Sequence, residues 1–143
     1  MKIVVLDGYT ENPGDLSWEG LERLGELTVY DRTPADKIAE RIGDAEAVYT
    51  NKTPISAQTI GQCPNLKFIG VLATGYNVID TAAAKAAGVI VSNIPTYGTD
   101  AVAQYAIARL LRLCDHIGEH SDCGKAGEWA HNADWGFRKH PLV

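Results

Sequence analysis

A chain of 143 residues with a net charge of −5, 45% apolar and 22% charged residues, has the size and composition of one globular domain. A chain this long buries roughly 68–70% of the surface its unfolded form exposes, so disulfide staples are not needed. Mild acidity with both signs of charge spread along the chain argues against nucleic acid, whose partners carry a basic stripe, but leaves room for a small anion held by local dipoles.

No basic-then-apolar leader and no apolar run of about 18 residues is present, so a cytoplasmic protein without a membrane partner is expected. Cys63, Cys114 and Cys123 lack Cys-x-x-Cys spacing, which favours reduced thiols over a disulfide framework or a thiolate zinc site.

Residues 1–98 alternate short β-branched runs with helical patterns, the signature of a parallel sheet covered by helices. In chain order the reading is strand 2–6, helix 16–24, strand 26–30, helix 35–42, strand 45–50, helix 57–63, strand 67–72, helix 81–87 and strand 89–92. Thr33-Pro34 with Asp36 predicts a cap and first turn, Ser56 and Asp80 precede further helices, and Gly43 and Gly88 sit where helices should stop. Right-handed crossovers then leave a flavodoxin-like, doubly wound α/β sheet of order 2-1-3-4-5.

After Ser92 the turn-rich run Asn93-Ile94-Pro95-Thr96-Tyr97-Gly98 leads to Thr99 or Asp100, the expected cap of a helix of about 18 residues ending near Gly118. A second helical piece is expected over 119–126, and 127–143, with Trp129 and Trp135, reads as an extended arm. The chain therefore divides into a flavodoxin-like unit over 1–98 and a helix and arm over 99–143.

The carboxyl ends of the strands bring Asp7-Gly8, Asn51-Lys52-Thr53, residues 73–77 and Asn93-Ile94 to one edge, where open α/β sheets bind ligands. Such loops are polar in any fold, which accounts for part of this pattern. Ala73-Thr74-Gly75-Tyr76-Asn77 weighs more, because small residues bare the backbone amides near the start of a helix, while Asn51 and Lys52 approach from the neighbouring strand. His116 and His120, four apart with acidic neighbours and Cys123, are better explained as a solvated helix face than as a metal site. No nucleophile elbow or P-loop is present.

Thr50-Asn51-Lys52-Thr53-Pro54, Ala73-Thr74-Gly75-Tyr76-Asn77-Val78-Ile79-Asp80, Asn93-Ile94-Pro95-Thr96-Tyr97-Gly98-Thr99, Val102-Ala103-Gln104 and Lys125-Ala126-Gly127-Glu128-Trp129 resemble, in that order, the N-terminal part of NAD-dependent D-2-hydroxyacid dehydrogenases. The hydroxypyruvate reductase/glycerate dehydrogenase branch is the most similar. The resemblance implies a substrate-binding domain in which Ala73, Thr74, Gly75 and Tyr76 supply amides to a 2-hydroxy or 2-keto acid, Tyr97 borders the pocket and Val102 lies near the nicotinamide of NAD(H) or NADP(H). It also implies a homodimer in which the long helix and arm embrace a second subunit, Trp135 matching loosely a tryptophan that some members insert into the partner's pocket. A hinge over 93–98 admits a domain-swapped form as well. Gln104 stands where many relatives have Glu.

No two of the 14 glycines are spaced by two, so the Gly-x-Gly-x-x-Gly dinucleotide fingerprint is missing. The family's nucleotide-binding domain, with its catalytic Arg, Glu and His, is expected beyond Val143, and this chain is expected to hold no cofactor and no catalytic residue and to be inactive alone. Arg109, Arg112, Asp115, His116 and Glu119 make the long helix more polar than the family's; an excised, engineered domain and natural variation account for this equally. The rival from a different class is a stand-alone, self-associating interaction module. A receiver-like signalling domain is disfavoured because Asp7 stands alone, without an acidic cluster.

Overall fold

The computed structural model describes residues 1–134, which fall into a compact unit Met1–Thr96 and a second unit that begins at Tyr97. The first unit is built on five parallel strands, β1 (Lys2–Val5), β2 (Glu26–Val29), β3 (Ala47–Thr50), β4 (Phe68–Val71) and β5 (Ile90–Ser92), in the order β2-β1-β3-β4-β5. This is the flavodoxin-like order expected from the alternation of strands and helices. Each strand is one or two residues shorter than its apolar run, because residues such as Leu6 and Leu72 still donate across the sheet, to Tyr49 O at 3.0 Å and Thr50 O at 2.8 Å, after regular pairing ends.

Register places Val4 beside Thr28 and Val48, and Ile69 beside Val48 and Val91. The central strands are buried on both faces, whereas the edge strands β2 and β5 are half-buried on one face and exposed on the other. Ile3, Leu6, Ile42, Val48, Ile55 and Ile69 form the innermost core. At the amino end of the sheet, Lys2 pairs with Asp44 at 2.7 Å and Lys67 with Glu46 at 2.8 Å, exposed pairs that contribute little stability.

Helices α1 (Glu19–Glu22), α2 (Ile38–Ile42), α3 (Ala57–Gln62) and α4 (Thr81–Ala86) fill the crossovers. Two begin as expected: Ser56 Oγ accepts from Thr59 N at 3.2 Å, and Asp80 Oδ1 accepts from Ala83 N at 2.9 Å. Gly43 and Gly88 end α2 and α4 with φ of 53° and 72°, a conformation that other side chains resist. The helix expected over 16–24 is a single turn. Asn12 Oδ1 takes the amides of Gly14 and Leu16, both at 3.0 Å, and this local turn competes successfully with helix. The cap expected at Thr33 is not formed either. Its hydroxyl donates to Leu6 O at 2.6 Å, and Pro34 opens a 3-10 turn over Ala35–Lys37 that runs into α2.

The second unit contains α5 (Thr99–Cys114), α6 (Ile117–Lys125) and α7 (Glu128–His131). Gly98, not Thr99 or Asp100, is the N-cap of α5, and the helix stops at 16 residues, short of Gly118. The break is at His116, whose backbone is left-handed (φ 48°) and whose Nδ1 lies 3.3 Å from Glu119 Oε1 in the first turn of α6. None of the residues of α5 is buried. The expected extended arm begins instead with α7, where His131 Nδ1 lies 2.7 Å from the carbonyl of Gly127. Trp135 lies outside the described residues. Among the described residues no helix is long and apolar enough to cross a membrane.

Gly70 of β4 pairs with Tyr49 of β3, and a Cβ at Gly70 would come within 2.5 Å of Tyr49 Cε1 and 3.1 Å of Phe68 Cε1. The absence of that carbon lets the Tyr49 and Phe68 rings pack with centroids 5.8 Å apart. Gly70→Ala is expected to lower unfolding free energy by about 1–3 kcal/mol in a urea titration, because the half-buried rings of Tyr49 and Phe68 must shift to make room for the added carbon.

Candidate functional site at the carboxyl edge of the sheet

In the order β2-β1-β3-β4-β5 the topological switch point lies between β1 and β3, the usual ligand crevice of this architecture. Here the crevice is filled from within. Asp7, two residues past the end of β1 and 3% exposed, accepts the backbone amides of Asn51 (2.9 Å), Lys52 (2.6 Å) and Thr53 (2.8 Å). The Thr53 hydroxyl donates to it as well (3.0 Å), and the Thr50 hydroxyl lies 3.3 Å from it with Thr53 O as a nearer acceptor at 2.9 Å. Successive amides turned toward one point form an anion nest, and the anion is the protein's own carboxylate.

The turn held by Asp7 is joined at both ends to the loop that follows β4. Leu72 N donates to Thr50 O at 2.8 Å; Ile55 N donates to Val78 O at 2.9 Å, and Asp80 N to Ile55 O at 3.0 Å. Residues 50–55 and 72–80 thus make two arcs clamped together at their ends. The second arc is also fixed to the chain after β5. Ile94 N donates to Ala73 O at 3.1 Å, Asn93 Nδ2 to Thr74 O at 2.8 Å, and Thr74 Oγ1 to Ile94 O at 2.9 Å.

With its carbonyls and hydroxyl so used, the middle of this loop has spare donors: the N–H groups of Thr74, Gly75 and Tyr76 meet no acceptor among the described residues. All three residues are exposed. At the first turn of α4, Asp80 takes the amide of Ala83. Tyr76 and Asn93 also border an open groove of about 490 Å³ along α4 and β5, with Lys85 and Val91 on its walls.

Of the residues singled out from sequence, Asn51, Lys52, Ala73, Thr74, Gly75 and Tyr76 are therefore on two joined arcs. Tyr97 and Val102 belong to the second unit, where both are exposed. Sequence reasoning placed Asp7-Gly8 at this edge but gave Asp7 no partner there, and it missed Glu11, whose carboxyl lies near Lys52, and Thr10, which bonds Asn51. Burial pushes the Glu11 carboxyl above the usual carboxylate range and the nearby Asp7 pushes it further, while Lys52 and Asn51 oppose the shift. The only available signal was an Asp directly after a central strand, facing a neighbouring strand that ends in Thr-Asn-Lys-Thr.

Side-chain geometry fixes the orientation of Asn51. The Thr10 hydroxyl donates to Asp7 O at 2.8 Å, so it accepts from Asn51 Nδ2 at 3.0 Å. This leaves Asn51 Oδ1 buried without a donor among the described residues. Chemically, the edge offers one ammonium, three open amides and a firmly held frame, which suits a small carboxylate.

Residues 3–134 match the family described as D-isomer specific 2-hydroxyacid dehydrogenase, catalytic domain. The chain is 56% identical, over 146 aligned residues, to a hydroxypyruvate reductase of Blautia hydrogenotrophica, covering all of this chain and 45% of that protein. A glycerate dehydrogenase of Methylorubrum extorquens is 35% identical over 107 residues, 75% of this chain and 34% of that one. Among solved structures, a 2-hydroxyacid dehydrogenase of Ketogulonicigenium vulgare superposes with a TM-score of 0.74 at 26% identity, over 99% of this chain and 42% of that one. An acyclic imino acid reductase in complex with NADPH and D-Arg shares the fold, with a TM-score of 0.78 at 24% identity over all of this chain and 44% of that one. The chain thus spans less than half the length of these relatives, and it belongs to the D-isomer specific 2-hydroxyacid dehydrogenases as their catalytic domain.

Proposed function

We propose that this domain is one wall of the substrate site in an enzyme that reduces a small 2-keto acid, hydroxypyruvate or glyoxylate, with NADH or NADPH. The observation that carries the reading is the pair of clamped arcs, with three unengaged amides on one and Lys52 on the other. A carboxylate has two oxygens and about four lone-pair directions, so it can use the amides and the ammonium together. The 56% identity to a hydroxypyruvate reductase supports the choice of acid. Family membership disfavours the rival reading of a self-associating module without a substrate.

Reduction of a ketone requires a hydride on carbon and a proton on oxygen, and no side chain donates hydride. The described residues do not fit a dinucleotide, because the nest at the switch point already holds the Asp7 carboxylate, which would repel a pyrophosphate. No chemical step is assigned to this wall; it binds and orients. In the complete site Tyr97 borders the substrate, Val102 lies beside the nicotinamide, and the second unit contributes to a homodimer.

Three measurements test this reading. The 143-residue chain mixed with NADH and hydroxypyruvate is expected to leave NADH absorbance unchanged; steady oxidation would overturn the division of labour. Oxalate, a carboxylate beside a carbonyl carbon with nothing to reduce, is expected to shift the amide NMR signals of Lys52, Thr74, Gly75 and Tyr76. Lys52→Met is expected to weaken that binding about tenfold, the loss of one charge-assisted contact. Glu11→Gln removes a negative charge near Lys52 and is expected to strengthen oxalate binding about threefold near neutral pH. Because the Glu11 carboxyl takes up its proton at higher pH than an ordinary glutamate, acidification brings the native chain up to the variant, and a gap that persists at low pH would refute the charge effect.

A further inference from the structure

We propose that Asp7 is a positioning residue for the substrate wall: its buried carboxylate takes the place of a bound anion at the switch point and fixes the arc that carries Lys52. The inference rests on the reading of Lys52 and the 74–76 amides as a carboxylate site.

Asp7 is more than a core anchor because of where its five contacts fall. Three are to consecutive amides, Asn51, Lys52 and Thr53, so the backbone on both sides of Lys52 as well as its own N–H is held by one carboxyl group. The shortest of the three, at 2.6 Å, is to Lys52 itself. The remaining two are the hydroxyls of Thr50 and Thr53, the residues that flank the turn. Thr50 O and Ile55 N in turn hold the two ends of the other arc through Leu72 and Val78. Loss of the anion frees the amides at 51–53 first and the open amides at 74–76 through those clamps.

The same turn tolerates a defect that a purely structural loop would shed. Asn51 is 92% buried by the complement of its 8% exposure, donates to Thr10, and keeps Oδ1 without a donor among the described residues. An unsatisfied buried carbonyl is unfavourable, so the position is not optimised for stability alone. It ties the arc to the 3-10 turn Gly8–Thr10 that Asp7 introduces, a second hold on the same segment.

The experiment compares the native chain with Asp7→Asn and Thr53→Val, following amide hydrogen exchange and oxalate binding by NMR well below the melting temperature. Asparagine keeps one acceptor oxygen but turns an NH2 group toward the amides. Exchange at 51–53 is expected to quicken about a hundredfold in Asp7→Asn while Val48 and Ile69 keep their protection. Oxalate affinity is expected to fall about tenfold, as it does for Lys52→Met, because a displaced ammonium is as poor a partner as a missing one. Thr53→Val, which removes one hydroxyl donor and keeps the amide, is expected to give the same pattern at about threefold and carries the test where Asp7→Asn does not fold.

Unchanged exchange at 51–53, or equal loss at Val48 and Ile69, overturns the proposal. Oxalate binding that survives both substitutions yet is weakened by Lys52→Met overturns the role of Asp7 alone and leaves the substrate site standing. A native chain that takes up no oxalate overturns the substrate site and this role with it.

Discussion

The carboxyl group of Asp7 is the constraint around which the functional edge is organised. Without it, three amides and the Thr53 hydroxyl at the switch point would face a crevice with no acceptor, at a desolvation cost of about 1–3 kcal/mol for each buried group left unpaired. With it, the turn after β3 is fixed, and that turn fixes the loop after β4 through the contacts at Leu72, Val78 and Asp80. The loop is fixed once more by Asn93 and Ile94. Order passes from β1 to β3 to β4 to β5, across the sheet, through the Asp7 carboxylate, the backbone links between the two arcs and the contacts of Asn93 and Ile94.

The sheet was legible because its signal is local. Runs such as Val-Val-Leu after Ile3 or Phe-Ile-Gly-Val before Leu72 are apolar at nearly every position, as strands covered on both faces must be, and Ser56 and Asp80 announce their helices within four residues. Two of the misreadings were also local, and both came from a polar side chain taking an alternative partner. Asn12 drew its backbone into a turn where a helix was expected, and Thr33 bonded to Leu6 instead of capping. The break at His116 carries neither Gly nor Pro to announce it.

The candidate site was legible in part for the same reason. Small residues at 73–75 after a strand are visible in any reading of the chain, and so is a lone lysine at the next strand end. The role of Asp7 was not, because its partners are 43 to 46 residues away and nothing in the spacing reveals a contact of that range. Glu11 was hidden for a different reason: its carboxyl is shifted first by burial, which the sequence does not show, and then by Asp7 one helical turn before it, while Lys52 and Asn51, far away in sequence, oppose the shift.

Carrying its own anion has a consequence for selectivity. A nest of three amides open to solvent at the most favourable crevice of the fold would collect inorganic phosphate and every other small oxyanion present, and such bystanders would compete with a keto acid for the same edge of the sheet. A covalently supplied carboxylate is present at an effective concentration that no solute can match. On the proposed reading the crevice is thereby closed to such anions, and recognition falls to the open amides at 74–76 and to Lys52 on the arc beside them.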